Sequence, residues 1–231
     1  MTSSRKSVAR IAGLLYLVAL IPAPFSLIYI PRTLIVPKDA AATSARILAS
    51  ESLFRLGIAG ELINAIAFFF VVLALHRLLR PVHRWLASLM VTLFAISIPI
   101  SFVNVLNDMA ALILLRGADF LSAFTRPQLD ALAMVFLRLH GEGLVVTSIF
   151  WGLWLLPFGL LVYRSGFLPR ILGVLLVVNG FAYVIPSFIT VWLPQYRDAA
   201  SRLALPFLLA ELAMWLLIRG AKQGTIAQTA A

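Results

Sequence analysis

Apolar runs of about twenty residues, separated by short charged or turn-forming segments, dominate the sequence. A helix of that length crosses the roughly 30 Å hydrocarbon core of a bilayer. The pattern predicts an all-α membrane bundle of six transmembrane helices, with short surface helices in the outer loops. Residues 1–218 form one integral membrane domain in this interpretation, and 219–231 form a flexible cytoplasmic tail. The predicted spans are residues 11–30, 53–75, 85–115, 138–163, 171–193 and 203–218.

Local signals in the loops and spans refine this pattern. Asp39 directly precedes residues 40–49 and is a typical N-cap, so a short surface helix is expected there. The Thr-Arg-Pro-Gln sequence at 125–128 predicts a capping box that begins a short helix leading into the fourth span. Pro99 and Pro157 predict kinks in the third and fourth spans.

Basic residues divide the loops into two classes. Loops 76–84 and 163–170, together with both termini, contain Arg or Lys and no acidic residue. All nine acidic residues lie in the other loops or within the spans. Cytoplasmic loops of membrane proteins are enriched in Lys and Arg. Both termini are therefore predicted to lie in the cytoplasm, with the chain in the cell inner (plasma) membrane.

Composition agrees with this assignment and narrows the chemistry. Hydrophobic residues make up 62% of the 231 residues and charged residues 12%, and the mean hydropathy is +1.00. Soluble domains have about twice that charged fraction, so the lipid bilayer is the expected partner. The net charge of +10 lies mainly in short loops, which argues against nucleic acid. The absence of cysteine excludes disulfides and thiolate metal sites, and no cofactor is expected.

Polar side chains within the spans are the functional candidates, because burying them in a membrane is costly. On spans two and three they recur at helical spacing, and a third group begins span four. We expect these stripes to converge in the outer half of the bundle, around a cavity that binds or passes a small ligand or ion. Structural ion pairs and interhelical hydrogen bonds are the alternative. The candidates are Glu61, Asn64, Asn104, Asn107, Asp108, Arg138, His140 and Glu142.

Glu211, near the middle of the sixth span, is predicted to be the deepest charged residue in the chain. Asn179 lies at nearly the same height in the antiparallel fifth span, by a rise of about 1.5 Å per residue. An isolated carboxyl in hydrocarbon takes up a proton. Glu211 is therefore predicted to be protonated and hydrogen-bonded to Asn179, or else paired with an arginine inside the bundle.

His140 and Glu142 also suggest metal chemistry, since imidazole and carboxylate are zinc ligands. Glu61 or Asp108 would have to supply the third protein ligand. The sequence has no H-E-x-x-H, and H-G-E-G matches no recognised metal spacing, so no metal site is assigned. A membrane-embedded hydrolase using His140, Glu142 and Glu61 is the alternative function, and a structural partner for another membrane protein is a third.

Several short motifs resemble those of a bacterial family known as domain of unknown function 4386. They are R-I-A-G-L-L-Y at 10–16, L-F-R at 53–55, W-G-L-W at 151–154 and Y-R-S-G-F-L-P-R at 163–170. The resemblance spans nearly the whole chain and implies a small multi-helix bacterial membrane protein. It implies no catalytic or ligand-binding residues, so the candidates above rest on physical arguments alone.

Overall fold

All regular elements that the structure describes are helical. The computed structural model describes residues 15, 18, 19 and 21–196. Its α-helices are α1 (Pro22–Pro24), α2 (Ile30–Leu34), α3 (Ala40–Ala49), α4 (Glu51–Leu79), α5 (Arg84–Arg116), α6 (Arg126–Leu153), α7 (Leu155–Arg164) and α8 (Arg170–Trp192). A π-helical turn, Phe25–Tyr29, joins α1 to α2, and 3-10 turns occupy Asp119–Leu121 and Pro194–Tyr196.

Four of these helical segments are long and apolar enough to cross a membrane. They are α4 with 29 residues, α5 with 33, α6 and α7 together with 39, and α8 with 23. The all-helical, membrane-type prediction is therefore confirmed for the described part of the chain. The sixth predicted span and the tail lie outside the described residues, as does most of the first span. The six-span count and the cytoplasmic termini stay predictions.

The fourth span begins differently from the prediction. The side-chain oxygen of Gln128 accepts hydrogen bonds from the backbone N–H (2.8 Å) and hydroxyl (3.1 Å) of Thr125. The first of these is one of the two reciprocal bonds of the predicted capping box. The predicted short helix that leads into the fourth span is the first part of one long helix, because α6 continues from Arg126 to Leu153 without interruption. Gly141 and Gly143 disfavour a helix by only about 1 kcal/mol each, which does not end it.

Of the two predicted proline kinks, the one in the fourth span is a break in the helix. Trp154 separates α6 from α7. Pro157 has no N–H to donate to the carbonyl of Leu153, so the helical hydrogen bond at this turn is lost. Pro99, by contrast, lies inside α5, which is assigned as one continuous helix.

The chain divides into two compact units, and the described residues of unit 1 are 70–94 and 150–196. Glycines bring two helical segments of this unit into backbone contact. A Cβ on Gly159 would lie 2.6 Å from the carbonyl oxygen of Gly173, and one on Gly152 would lie 2.5 Å from that of Gly180. Close approach at small residues is the usual way in which membrane helices pack.

Unit 2 comprises residues 95–149 and the described residues of 15–69. Its apolar core includes Ile47, Phe54, Leu112 and Leu137. The predicted helix at 40–49 is confirmed as α3, and Asp39 caps it by accepting a 2.8 Å hydrogen bond from the N–H of Ala42. Ile47 anchors this helix, because its side chain is completely buried.

Candidate functional site

Three ionisable side chains from three helices meet in unit 2. Glu61 comes from α4, Asp108 from α5 and His140 from α6. The Nε2 atom of His140 lies 3.2 Å from Oε1 of Glu61, and its Nδ1 atom lies 3.3 Å from Oδ2 of Asp108. Only 10–14% of each side chain is exposed, so the protein must compensate most of the lost hydration of these groups. We call these three residues the carboxylate–imidazole cluster.

Asn104 holds His140 in place from the neighbouring helix α5. Its amide nitrogen donates a 3.0 Å hydrogen bond to the backbone carbonyl of His140 and lies 3.5 Å from the Nδ1 atom of the same residue. The side-chain amide of Asn107 donates to both oxygens of Asn104, at 3.1 and 3.2 Å. These contacts fix the orientation of the Asn104 amide and, through it, the position of α6 beside the cluster.

Gly143 makes room for this arrangement. A Cβ at position 143 would overlap the Asn104 side-chain amide, whereas a Cβ at position 141 would have no atom of the described residues within 4 Å. Of the two glycines in the H-G-E-G sequence, therefore, only the second is required by the packing of the cluster. Its role is to let the Asn104 side chain lie against the α6 backbone, and it forms no phosphate loop.

The charges of the cluster define its chemistry. Both ring nitrogens of His140 face carboxylate oxygens. A neutral imidazole carries only one N–H donor, so one of the two contacts needs an additional proton or a cation between the nitrogen and the oxygen. With both carboxylates ionised, the cluster is net negative in either protonation state of His140. One nitrogen and two oxygen ligand atoms lie within 4.8 Å of one another, close enough to bind one metal ion together.

The cluster lies towards one end of α4 and of α5. Glu61 is ten residues from the start of α4, or about 15 Å along its axis, and Asp108 is eight residues from the end of α5, or about 12 Å. Residues 62–75 of α4 and 85–107 of α5 contain no ionisable side chain. Along α4, the cluster is therefore nearer to the end that carries Glu51 than to the end at Leu79.

The other predicted site residues lie in different surroundings. Asn64 donates a 3.1 Å hydrogen bond from its amide to the carbonyl of Ala19. Arg138 and Glu142 are exposed on α6. Asn179 is buried, and neither its amide nitrogen nor its oxygen has a hydrogen-bond partner among the described residues. Its predicted partner, Glu211, lies outside the described residues. The ligand-binding roles of Asn64, Arg138 and Glu142 stay predictions, and so does the buried pair of Asn179 and Glu211.

One feature of unit 2 gave little signal in the sequence. Ser26 is buried in the π-helical turn, and its hydroxyl has no hydrogen-bond partner among the described residues. A Cβ on Gly60 would overlap that hydroxyl. Ser26 therefore packs against α4 at Gly60, the residue directly before Glu61. π-Helical turns are frequent at functional sites. In the sequence, only Pro22 and Pro24 indicated an irregular helix at this position.

The helices and the buried cluster together define an α-helical membrane protein with an ionisable site in its interior. The family model described as "Domain of unknown function (DUF4386)" matches residues 11–220. The chain belongs to this family, as its motifs indicated. No curated protein and no solved structure matches the chain.

Proposed function

We propose that the protein binds a divalent metal ion at the carboxylate–imidazole cluster, within the inner membrane of a bacterium. The observation that carries the proposal is the convergence of Glu61, Asp108 and His140, from three helices, on one buried point within 4.8 Å. Ionisable residues inside membrane helices typically mark ion pathways or binding sites. With both carboxylates ionised the cluster is net negative, and this charge favours a cation as its occupant.

The ligand set favours a transition metal over a hard cation. Imidazole nitrogen binds Zn²⁺, Co²⁺ and Ni²⁺ well, whereas Mg²⁺ and Ca²⁺ prefer sites made of oxygen atoms only. Asn104 and Asn107 would act as the outer shell that orients the ligands, and loss of such partners typically weakens metal binding by about 10–100-fold.

Titration of the full-length protein in detergent with Zn²⁺, Co²⁺, Mg²⁺ and Ca²⁺, followed by calorimetry, tests the proposal. We expect one Zn²⁺ or Co²⁺ per chain and no competition from Mg²⁺ or Ca²⁺. Metal affinity should fall in each of three ligand variants, Glu61→Gln, Asp108→Asn and His140→Gln. The fall should exceed the roughly 10–100-fold loss of affinity that is typical when an outer-shell partner is removed. Asp119→Asn and His83→Gln are matched controls at exposed positions and should bind normally.

Two outcomes would contradict metal binding. One is the absence of saturable binding in the wild-type protein, and the other is unchanged affinity in His140→Gln. If the cluster variants lose thermal stability although the wild type binds no metal, the cluster is a structural ion pair. Arg138→Gln and Glu142→Gln test the wider cavity predicted from the sequence, because weaker binding in either would bring these exposed residues into the site.

The ligand count favours metal-assisted hydrolysis as a second function. Catalytic zinc sites commonly have three protein ligands and hold a water molecule in the fourth position. Here Asp108 takes the place that the sequence interpretation gave to Glu142. Zn²⁺-loaded protein would then cleave ester or amide substrates presented in micelles, and Asp108→Asn would abolish that turnover. Zn²⁺ uptake into proteoliposomes without turnover would instead support ion passage.

A further inference from the structure

An apolar groove runs between α4 and α5 on the surface of unit 2. Ile58 and Leu112 form its buried floor, and the exposed side chains of Ala59 and Met109 flank it. Its volume is about 470 Å³, within the range of about 300–1,000 Å³ that is usual for small-molecule sites. Both helices are membrane-type segments, so an apolar groove on their outer surface is accessible to lipid.

Two arginines stand at one end of this groove. Arg55 and Arg116 are joined through Glu51, with 2.7 Å between Arg55 Nε and Glu51 Oε1 and 3.3 Å between Arg116 Nε and Glu51 Oε2. Their side chains are 52% and 61% exposed. Among the described residues, Glu51 contacts each guanidinium through its Nε atom. Two cations and one anion give this end of the groove a net charge of +1.

The groove has charged residues at one end and an apolar length beyond them, as a phospholipid has a headgroup and acyl chains. Arg116 is the last residue of α5, and Arg55 lies in the second turn of α4, so both are near helix ends, where headgroups lie. The groove extends from Arg55 to Leu62 and from Arg116 to Met109, which is seven residues, or about 10 Å, along each helix. That length covers most of one leaflet of a hydrocarbon core about 30 Å thick.

We infer that this groove binds an anionic glycerophospholipid. One acyl chain lies between α4 and α5, and the headgroup phosphate accepts charge-assisted hydrogen bonds from Arg55 and Arg116. Guanidinium groups bind phosphate through paired N–H donors, and the apolar floor excludes a soluble phosphate as the complete ligand. The inference does not depend on the cation site, because no residue of the groove belongs to the carboxylate–imidazole cluster.

Thermal unfolding of the full-length protein in detergent tests this inference. The additives are phosphatidylglycerol, phosphatidylcholine with the same acyl chains, and inorganic phosphate. We expect phosphatidylglycerol to raise the unfolding midpoint more than phosphatidylcholine does, and phosphate to leave it unchanged. The Arg55→Gln/Arg116→Gln variant should lose the difference between the two lipids and bind phosphatidylglycerol roughly tenfold more weakly. Arg32→Gln, at an exposed arginine outside the groove, should keep both properties.

A second variant separates groove binding from general charge effects and from misfolding. Ala59→Trp fills the groove but leaves both arginines and Glu51 in place, and it should also abolish the preference for phosphatidylglycerol. Equal effects of the two lipids on the wild type would overturn the inference. So would a full preference in Ala59→Trp, or a stabilisation by inorganic phosphate as large as that by phosphatidylglycerol.

Discussion

Replacing Gly143 by alanine should disturb the carboxylate–imidazole cluster without touching any of its ionisable groups. The new Cβ would overlap the Asn104 amide, so Asn104 must move away from the α6 backbone. This movement breaks its 3.0 Å hydrogen bond to the carbonyl of His140. Gly141→Ala is the matched control, because it lies two residues away on the same helix and its Cβ meets no atom within 4 Å in the described part of the chain.

The expected magnitudes follow from three separate effects. Overpacking a well-filled site costs about 1–3 kcal/mol, and an interhelical hydrogen bond in a membrane contributes about 0.6–1 kcal/mol. Both variants gain about 0.8 kcal/mol, because alanine favours a helix more than glycine does. Gly143→Ala should therefore be destabilised by about 1–3 kcal/mol, whereas Gly141→Ala should be slightly stabilised.

Thermal unfolding in detergent measures this difference. A change of 1 kcal/mol shifts the midpoint of a protein of this size by about 2–4 °C, so the two variants should differ by at least about 4 °C. In an Asn104→Ala background the clash is absent, and Gly143→Ala should then cost little. Equal midpoints for the two glycine variants, or an unchanged cost in the Asn104→Ala background, would refute this account of the packing.

Three further predictions concern the remaining parts of the chain. Reporter fusions after Arg84 and after Arg170 should both report the cytoplasm, and a periplasmic signal from either would contradict the six-span model. Glu211 lies outside the described residues; Glu211→Gln should leave the stability unchanged, whereas Glu211→Leu should lower it by about 1 kcal/mol. If thermal unfolding showed the Leu variant to be as stable as the wild type, the predicted bond to Asn179 would be excluded. Gly159→Leu should destabilise the protein by about 1–3 kcal/mol, because the Gly173 backbone blocks the new side chain, and an unchanged unfolding midpoint would contradict this packing.

Apolar length and capping residues made much of the fold predictable. Asp39 and Gln128 form the caps expected from their spacing, because capping depends on residues only three apart. Glu51 and Arg55 are four residues apart, a spacing at which helical side chains can pair, and their contact is 2.7 Å. Helix ends in unpatterned sequence were harder to place. No proline or other strong stop signal lies between Gln128 and Arg138, so α6 begins well before the predicted span.

The geometry of the site required the three-dimensional structure. Periodicity placed Glu61, Asn104 and Asp108 on polar stripes, and these side chains do lie in or beside one cluster. Sequence spacing does not determine how each helix is rotated about its axis. For this reason the predicted set also contained Glu142, which lies two residues after His140 and is exposed on α6. A helical position two residues away faces another direction. This spacing alone indicates that Glu142 and His140 do not point into the same site.

X-ray absorption spectroscopy at the metal edge of Co²⁺-loaded protein tests metal binding at the cluster most directly. The proposed site predicts a first shell of nitrogen and oxygen only, with the scattering pattern of one imidazole. That imidazole signal should disappear in His140→Gln and persist in His83→Gln. A wild-type spectrum of hydrated cobalt without imidazole, or an imidazole signal that His140→Gln leaves unchanged, would contradict a metal site built from Glu61, Asp108 and His140.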